Sequence, residues 1–361
     1  MRILVAPDKF AGTLTAVEAA EAIAAGWRRT CPDDEIVAMP LSDGGPGFVD
    51  VLHACLGGEL LAVTATGATG SDVPTTLLLV GETAYIESAQ ACGIHLTGGR
   101  GGEFATSAGV GTLLFSAVQA GARRVVVGLG GSGSNDGGAG FLAALGAEAD
   151  VPLDVGGIFL DGVSRVDLAM ARDLVAGVEI VAATDVDIPL TGLFGATRTF
   201  GPQKGIEEEH QLALDGFLER FAAATDRRLS LEPGAGAAGG LGFALMLLGA
   251  RRVSGLDLVA DAVGLAAQAA QADLVITGEG AFDVSSRAGK VPAGVAAVAT
   301  SALRPCIALA GRVLVGSREM RALGLDAAYA LVDAFGEERA LGEPASALSD
   351  LAERVARTWA M

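Results

Sequence analysis

The chain has 361 residues, of which 51% are hydrophobic and 19% are charged, and its net charge at neutral pH is −18. This composition excludes a disordered chain, and the negative charge argues against nucleic acid or an anionic membrane as the main partner. No apolar run reaches the roughly 20 residues that a membrane-spanning helix needs. The dispersed cysteines and histidines argue against a zinc site. We therefore expect a cytoplasmic globular protein with two domains.

The first part of the chain predicts alternating strands and helices. Strands over residues 3–6 and 36–40 are each followed by a helix, an order that favours a parallel sheet covered by helices. Because the carboxyl ends of parallel strands meet at one edge of a sheet, we expect the residues after both strands to lie close together. These residues are Asp8, Lys9, Ser42, Asp43, Gly44 and Gly45.

The middle of the chain, about residues 66–250, has a different pattern. Strands over 73–80 and 83–87 predict an antiparallel hairpin, and later strands alternate with helices. We interpret this section as a second, mixed α/β domain that is inserted into the first, which then comprises residues 1–65 and 251–361. The cleft between two such domains is the usual place for a substrate.

The last part of the chain supplies three further strands of the first domain. Strands over 273–277, 306–310 and 327–332 complete a five-stranded Rossmann- or flavodoxin-like parallel sheet with the two strands of the chain start. Ligands of such sheets bind outside the carboxyl ends of the strands. The residues that the last part adds to this edge are Gly278, Glu279, Gly280, Asp283, Lys290 and Arg312.

A glycine-rich run over 128–140 matches G-x-G-x-x-G between a strand and a helix. Such a loop directs backbone N–H groups at a phosphate, but a tight strand-to-helix turn explains the pattern comparably well. The acidic residue that a dinucleotide site places about 20 residues further on, at the end of the next strand, is missing. We therefore favour anion or sugar-acid binding over NAD. The candidate residues in this loop are Gly130, Gly131, Ser132, Asn135 and Asp136.

Only three of the 25 basic residues are lysines, and all three stand in turn-like segments. Their shared context favours a phosphate-directed role for at least one of Lys9, Lys204 and Lys290, although lysines also reach exposed loops by chance. The segment FGPQKG over 200–205, with Arg198 just upstream, predicts either a surface loop or a clamp on a carboxylate or phosphate.

Carboxylates stand at several predicted strand ends, and Asp185 follows a strand over 178–182. Acidic residues beside glycines are often simple turn formers. An acidic protein that binds anions nevertheless needs cations, and carboxylate together with phosphate oxygens is the usual shell of Mg²⁺. Asp43 and Glu279 are therefore our candidate magnesium ligands.

Nine sequence blocks stand out by their length and order: APDKFAGTLTA (6–16), PLSDGGPGFVD (40–50), ATSAGVGTLL (105–114), VGLGGSGSNDGGAGFLAALG (127–146), ATDVDIPLTGLFGAT (183–197), FGPQKG (200–205), PGAGAAGGLGFAL (233–245), ADLVITGEGAFD (272–283) and GKVPAGVA (289–296). In this order they resemble the glycerate kinase family of the bacterial GarK type, nearly end to end. The chain departs from the family pattern at Pro46, where Glu is common. It also departs at Ala281, Ser285 and Ser286, which replace the usual Arg, Gln and Thr.

The resemblance implies two domains, one of them Rossmann-like, and phosphorylation of D-glycerate with ATP and Mg²⁺. From residue type and position we assign Lys9 and Lys290 to the nucleotide phosphates, and Asp43 and Glu279 to the metal. Asp185 would act as the base that orients the glycerate hydroxyl.

Two residues compete for the glycerate carboxylate, namely Arg198 and Lys204. The glycine-rich loop would hold substrate or phosphate, and the remaining strand-end residues would bind substrate or nucleotide. The sequence favours 2-phosphoglycerate as the product but does not decide between the 2- and the 3-hydroxyl, and a homodimer stays open as the assembly. A nicotinamide-dependent oxidoreductase of hydroxy acids and a non-catalytic sugar-acid sensor are the alternative functions.

Overall fold

The structure of the chain is a computed structural model that describes residues 1–283 and 290–359. The chain divides into two compact units, each assembled from separate stretches of sequence. Unit 1 comprises Met1–Asp43, Asp50–Gly57 and Gly255–Met361, and unit 2 comprises Gly44–Val49 and Gly58–Ser254. Over the described ranges, every helix is too short or too polar to cross a membrane.

Strands and helices alternate along most of the chain. The strands are β1 Arg2–Val5, β2 Glu35–Ala38, β3 Glu59–Thr66, β4 Asp72–Val80, β5 Thr83–Glu87, β6 Arg124–Gly128, β7 Glu148–Ala149, β8 Val166–Asp167, β9 Glu179–Ala183, β10 Arg251–Val253, β11 Leu274–Phe282, β12 Cys306–Val313 and β13 Ala327–Ala330. The α-helices are α1 Ala16–Thr30, α2 Phe48–Leu56, α3 Ala89–Cys92, α4 Ile94–Thr97, α5 Ala108–Gln119, α6 Ala139–Ala144, α7 Ala169–Leu174, α8 Ala196–Phe200, α9 Glu208–Ala224, α10 Leu241–Leu247, α11 Gly255–Val263, α12 Leu265–Gln271, α13 Val291–Ser301, α14 Ser317–Ala322, α15 Leu331–Phe335, α16 Glu337–Gly342 and α17 Pro344–Trp359. Short 3₁₀ helices lie at Gly157–Leu160, Pro202–Lys204, Leu229–Leu231 and Ala237–Gly240.

Unit 1 is built on a five-stranded parallel sheet with the strand order β13-β12-β11-β1-β2. Numbered within the unit, this is the order 2-1-3-4-5 of flavodoxin-like sheets, which confirms the predicted fold class. Alternate strand residues such as Ile3, Val5 and Leu274 join a core with helices α1 and α17, because side chains along a strand point to opposite faces. The two helices touch at Gly26, where a Cβ would lie 1.9 Å from the Ser349 carbonyl oxygen.

Two strands of this sheet extend further than their sequence predicts. The pairing of β11 with β12 continues through Glu279 opposite Ala310 and Ala281 opposite Arg312. The Gly278–Gly280 stretch and Arg312 therefore lie inside strands, and the prediction that they follow strand ends is wrong. The cause is that β11 and β12 keep pairing beyond the point where their neighbour β1 ends at Val5.

Unit 2 is built on a six-stranded mixed sheet with the order β10-β9-β6-β5-β4-β3. Strands β3, β4 and β5 pair antiparallel, so the predicted hairpin is confirmed, whereas β5, β6, β9 and β10 pair in parallel. Phe141, Phe221 and Phe243 lie in the core of this unit. The prediction of a second, mixed α/β domain is thereby confirmed.

The borders of unit 2 differ from the predicted ones at residues 65 and 250. Strand β3 pairs with β4 along its whole length, so the residues from Gly58 onward belong to unit 2. Strand β10 pairs with β9, which extends the unit to Ser254. Gly44 and Gly45 also belong to unit 2, because the Gly130 N–H donates to the Gly44 carbonyl over 3.0 Å.

Candidate active site

In unit 1, the loops after β1 and β2 place two carboxylates around one lysine. The Lys9 Nζ lies 3.6 Å from the Asp8 Oδ1 and 3.8 Å from the Asp43 Oδ1. The Asp8 N–H donates to the Gly278 carbonyl over 2.8 Å, which ties this loop to β11. The structure thus brings together three of the residues that the sequence assigns to the carboxyl edge of the sheet.

Asp8 has an unusual setting for a carboxylate, since only 7% of the residue is exposed. Burial raises the pKa of Asp8 to about 6 against the opposing charge of Lys9, and the Asp43 carboxylate adds to the rise. At neutral pH the group is mostly ionised but sits close to its titration point. A carboxyl with such a pKa is typical of sites that handle protons or hold a cation.

The other predicted residues of unit 1 are spread over several elements. Ser42 and Glu279 are both buried. Lys290 occupies the N-cap position of the eleven-residue helix α13. Arg312 is exposed and forms an ion pair with Glu337 at the carboxyl end of β12.

Two of the positions at which the sequence departs from the family pattern cannot be placed. Ser285 and Ser286 lie outside the described residues. Asp283, a predicted ligand-binding residue, is half-buried and directly follows β11.

The carboxylates of unit 1 suit a magnesium ion that arrives with a phosphate. Over residues 1–283 and 290–359, one set of three metal-capable side chains has its ligand atoms within 4.8 Å of one another, and it contains neither Asp43 nor Glu279. Unit 1 therefore has no preformed cage of three ligands in its described part. Mg²⁺ is usually bound by one or two carboxylates, with water and substrate phosphates completing its shell, and this donor set is present.

Unit 2 contains a cavity of about 320 Å³ beside the glycine-rich loop, which we call the glycine-loop cavity. Its lining residues are Ile94, Leu129, Gly130, Gly131, Ser132, Val186, Phe200, Gln203, Lys204 and Ala238. The cavity is near the lower limit of about 300 Å³ for pockets that enclose drug-sized ligands, so it suits a small substrate. The structure thus brings four predicted site residues, Gly130, Gly131, Ser132 and Lys204, to one cavity.

Lys204 is the charged group of this cavity, although only 1% of the residue is exposed. Its Nζ donates to the Ser132 Oγ over 3.1 Å and to the Ser134 carbonyl over 2.6 Å. Burial lowers the pKa of Lys204 to about 8, while nearby Cys92 and Asp136 oppose the shift. Since both hydrogen-bond partners are neutral, the ammonium group has retained the capacity to bind an anion in the cavity.

Most N–H groups of the glycine-rich loop are already engaged. Those of Gly130, Gly133, Asn135 and Gly137 donate to carbonyl oxygens elsewhere in unit 2 over 2.7–3.1 Å. These four N–H groups are therefore not available to a phosphate, and the expectation that they bind one is wrong. The helix that follows, α6, has only six residues. The loop is better explained as a tightly bonded turn that presents Gly131 and Ser132.

Asn135 and Asp136 lie beneath the loop and are fully buried, so neither reaches the cavity. Asp136 accepts hydrogen bonds from the N–H and the hydroxyl of Ser107 and from the N–H groups of Gly138 and Gly140. Burial raises the pKa of Asp136, and these hydrogen bonds oppose the rise. The prediction that the two residues contact substrate is corrected: Asp136 holds the loop in shape, because its carboxylate has no open path to a ligand.

Arg198 and Asp185 complete the predicted residues of unit 2. Arg198 is exposed on α8 and lies beside Asp215. Burial raises the pKa of Asp215, and the charge of Arg198 opposes this rise. It does not line the glycine-loop cavity, so Lys204 is the better candidate to bind a substrate carboxylate there. Asp185 is half-buried after β9 and immediately precedes Val186, which lines the cavity.

Comparison with known proteins decides the family. The family model described as "Glycerate kinase family" matches residues 3–360. The chain belongs to the glycerate kinase family. The predicted family and the predicted enzyme class, a kinase that phosphorylates an alcohol group, are thereby confirmed.

Individual relatives agree with this assignment. The "Glycerate 2-kinase" of Escherichia coli K12 is 38% identical over 93% of this chain and 92% of its own length. The "Glycerate kinase" of Bacillus subtilis 168 is also 38% identical, over 92% and 90%. A crystal structure of a candidate glycerate kinase 2 from Salmonella typhimurium LT2 is 37% identical, covers 99% of this chain and 98% of its own, and superposes with a TM-score of 0.83.

The surroundings of the glycine-rich loop include Pro46, one of the positions at which the sequence analysis expects a departure from the family pattern. Pro46 packs against Gly131, where a Cβ would lie 2.7 Å from the proline Cγ. Six of the cavity residues were not among our candidates, namely Ile94, Leu129, Val186, Phe200, Gln203 and Ala238. The FGPQKG block contains two of them and could have indicated both, whereas the sequence around Ile94 carries no signal.

Proposed function

We propose that this chain transfers the γ-phosphoryl group of ATP to a hydroxyl of D-glycerate, with Mg²⁺ as cofactor and 2-phosphoglycerate as product. Family membership supports the reaction, and the printed name of the Escherichia coli relative supports the 2-hydroxyl. The structural observation that carries the proposal is the ammonium group of Lys9 between Asp8 and Asp43. Phosphoryl transfer depends mainly on positioning and on neutralising charge, which is what such a cluster provides.

The nucleotide phosphates are assigned to unit 1. Lys9 and Lys290 would bind phosphate oxygens, and the N-cap position of Lys290 places it where the dipole of α13 also favours an anion. Asp43 and Glu279 would hold Mg²⁺, which supplies charge neutralisation at the phosphate oxygens when bound. Asp8, with its raised pKa, keeps Lys9 oriented through the contact between the two side chains.

The glycerate molecule is assigned to the glycine-loop cavity. Lys204 would bind its carboxylate, and the Ser132 hydroxyl lies within hydrogen-bond distance of the same ammonium group. Asp185 would accept the proton of the attacking hydroxyl. The alternative of a nicotinamide-dependent oxidoreductase is not retained, because the loop that suggested it has most of its N–H groups bonded within the protein.

We also propose the cytoplasm as the compartment. All four cysteines, Cys31, Cys55, Cys92 and Cys306, are unpaired thiols. Unpaired cysteines are typical of proteins from reducing compartments.

Two measurements test the proposed function. A coupled assay of ADP release, with and without D-glycerate, tests the transfer, and phosphorus NMR of the product distinguishes 2-phosphoglycerate from the 3-phosphate. Lys290→Ala should lower kcat/KM by about two orders of magnitude or more while the protein stays folded. Arg123→Ala is the matched control, since that side chain is 77% exposed and pairs with Glu82 at the surface. Release of ADP that does not depend on glycerate would refute the proposal.

A further inference from the structure

Unit 1 contains a cavity whose apolar lining residues have no role in the assignments above. It has a volume of about 220 Å³ and lies near the carboxyl ends of β1, β11 and β12. We call it the apolar pocket. Its lining includes Phe10, Thr13, Ala281, Leu331, Ala340 and Leu341.

The apolar pocket lies at the point of the sheet where the strand order reverses. In the order 2-1-3-4-5 this point falls between β1 and β11, and the loop after β1 and the carboxyl-terminal end of β11 both contribute to the lining. Doubly wound sheets bind their ligands at this switch point. The location alone therefore predicts a ligand.

The lining determines which part of a ligand fits. Phe10 and Leu331 are each 1% exposed and Ala340 is 4% exposed, so the inner wall is apolar and rigid. Arg312 is the charged residue of the lining, and its guanidinium group is paired with Glu337. A small anion such as glycerate would find no unpaired cation here. A flat, uncharged ring would bury apolar surface and could stack against the guanidinium plane of Arg312.

The volume points to the same class of ligand. Pockets that enclose a whole drug-sized ligand measure about 300–1,000 Å³. A cavity of about 220 Å³ is therefore large enough for one ring system but not for a complete nucleotide. Lys9, which we assign to the nucleotide phosphates, directly precedes Phe10 of the lining in the chain. A nucleotide whose ring lies in the pocket would therefore have a phosphate-binding lysine nearby.

We propose that the apolar pocket binds the purine ring of the nucleotide donor. This inference rests on the proposed function for the identity of the donor as ATP. It adds a base-binding site made by Phe10, Ala281, Leu331 and Ala340, none of which is needed for the transfer itself. The ring would enter against Phe10 and leave the sugar and phosphates outside the pocket.

The test fills the pocket and measures binding of adenosine, which carries no phosphate. Ala281→Trp places a large ring at an exposed lining position, and Ala11→Trp does so from the neighbouring loop. Ala266→Trp is the matched control, because Ala266 is an exposed alanine in a separate cavity of unit 1. Circular dichroism verifies that each variant is folded, and Ala11→Trp replaces Ala281→Trp if the latter is not.

Saturation-transfer NMR should detect adenosine on the wild-type protein and on Ala266→Trp, and the signal should be lost when the pocket is filled. The KM for ATP should rise at least about tenfold with an unchanged KM for glycerate. The inference is overturned if the wild-type protein gives no adenosine signal, or if filling the pocket changes neither the signal nor the KM for ATP. If adenosine binds but no phosphate reaches glycerate, the pocket stands and the proposed function fails.

Discussion

Replacing Lys204 by methionine tests how the glycine-loop cavity recognises its substrate. Methionine has a similar length and keeps the buried stem filled, but it removes the ammonium group and both of its hydrogen bonds. If Lys204 binds the glycerate carboxylate, the variant should bind glycerate poorly and retain its affinity for ATP. Removing one partner of a buried charge pair costs about 2–5 kcal/mol, which is about 30-fold or more in kcat/KM for glycerate.

The effect of Lys204→Met on folding should be limited, because two contributions to the free energy of unfolding oppose each other. The two charge-assisted hydrogen bonds of Lys204 contribute about 1.5–3 kcal/mol each. A pKa lowered from 10.5 to about 8 means that burial disfavours the charged form by about 3 kcal/mol. Because these contributions oppose each other, Lys204→Met should change the free energy of unfolding at neutral pH by less than about 3 kcal/mol.

The pH dependence adds a second signature. The folded-state pKa of Lys204, about 8, lies below the unfolded value of 10.5, so the unfolded state binds more protons between these two values. The contribution of Lys204 to stability therefore rises with pH across this range. Glycerate binding should change in the opposite direction, because the charge that holds the carboxylate is lost above about pH 8.

Steady-state kinetics over about pH 7 to about pH 9.5 measure this behaviour, since the range spans the expected titration. The KM of the wild-type protein for glycerate should rise in the upper half of the range, and that of Lys204→Met should be high throughout. Arg198→Met is the matched control and should stay within about twofold of the wild type, as exposed substitutions do. Our reasoning would be refuted if Lys204→Met had the KM for glycerate and the pH profile of the wild type while Arg198→Met had a raised KM for glycerate.

Three further predictions concern other parts of the molecule. Asp136→Ala removes the acceptor of four buried hydrogen bonds and should lower the free energy of unfolding by about 3 kcal/mol or more, and an unchanged urea midpoint would contradict this. Lys9→Ala should raise the pKa of Asp8 further, since Lys9 lowers it, and should reduce kcat/KM for ATP at least about tenfold. Wild-type kinetics would exclude Lys9 from the site. A hydrogen bond to Glu103 raises the pKa of His210, so this pair stabilises the fold below the unfolded pKa of 6.5 and loses its effect as the pH rises through the folded value. The Tm difference between wild type and His210→Gln should therefore be larger at acidic than at alkaline pH, and equal differences would contradict the assignment.

Most of the fold could be predicted from the sequence, because most strands and helices have clear local patterns. The helix predicted after the first strand, for example, is α1, and it begins with a capping box between Thr15 and Glu18. Strand β3 was not predicted, and its membership of the second domain follows from its antiparallel pairing with the next strand, β4. The extension of β11 through Glu279 likewise depends on its neighbour β12 and has no local signal.

The candidate site was less accessible to sequence reasoning, because burial decides the role of each polar residue. FGPQKG has the composition of an exposed loop, yet Lys204 is fully buried. Asp136 looks like a ligand in a polar turn, but its partner Ser107 stands 29 residues earlier in the chain. Such partnerships follow from packing across the unit and not from spacing along the sequence.

The strand order of unit 1 has a consequence for how the nascent chain folds on the ribosome. Strand β1 is synthesised first but lies between β2 and β11, and it pairs with β11 through residues as late as Ile276. One flank of β1 therefore stays without its neighbour until β11 has been translated, whereas all strands of unit 2 precede β11 in the chain. Domains generally fold as units during synthesis. The inserted unit 2 should accordingly acquire protease resistance on stalled nascent chains before unit 1 does.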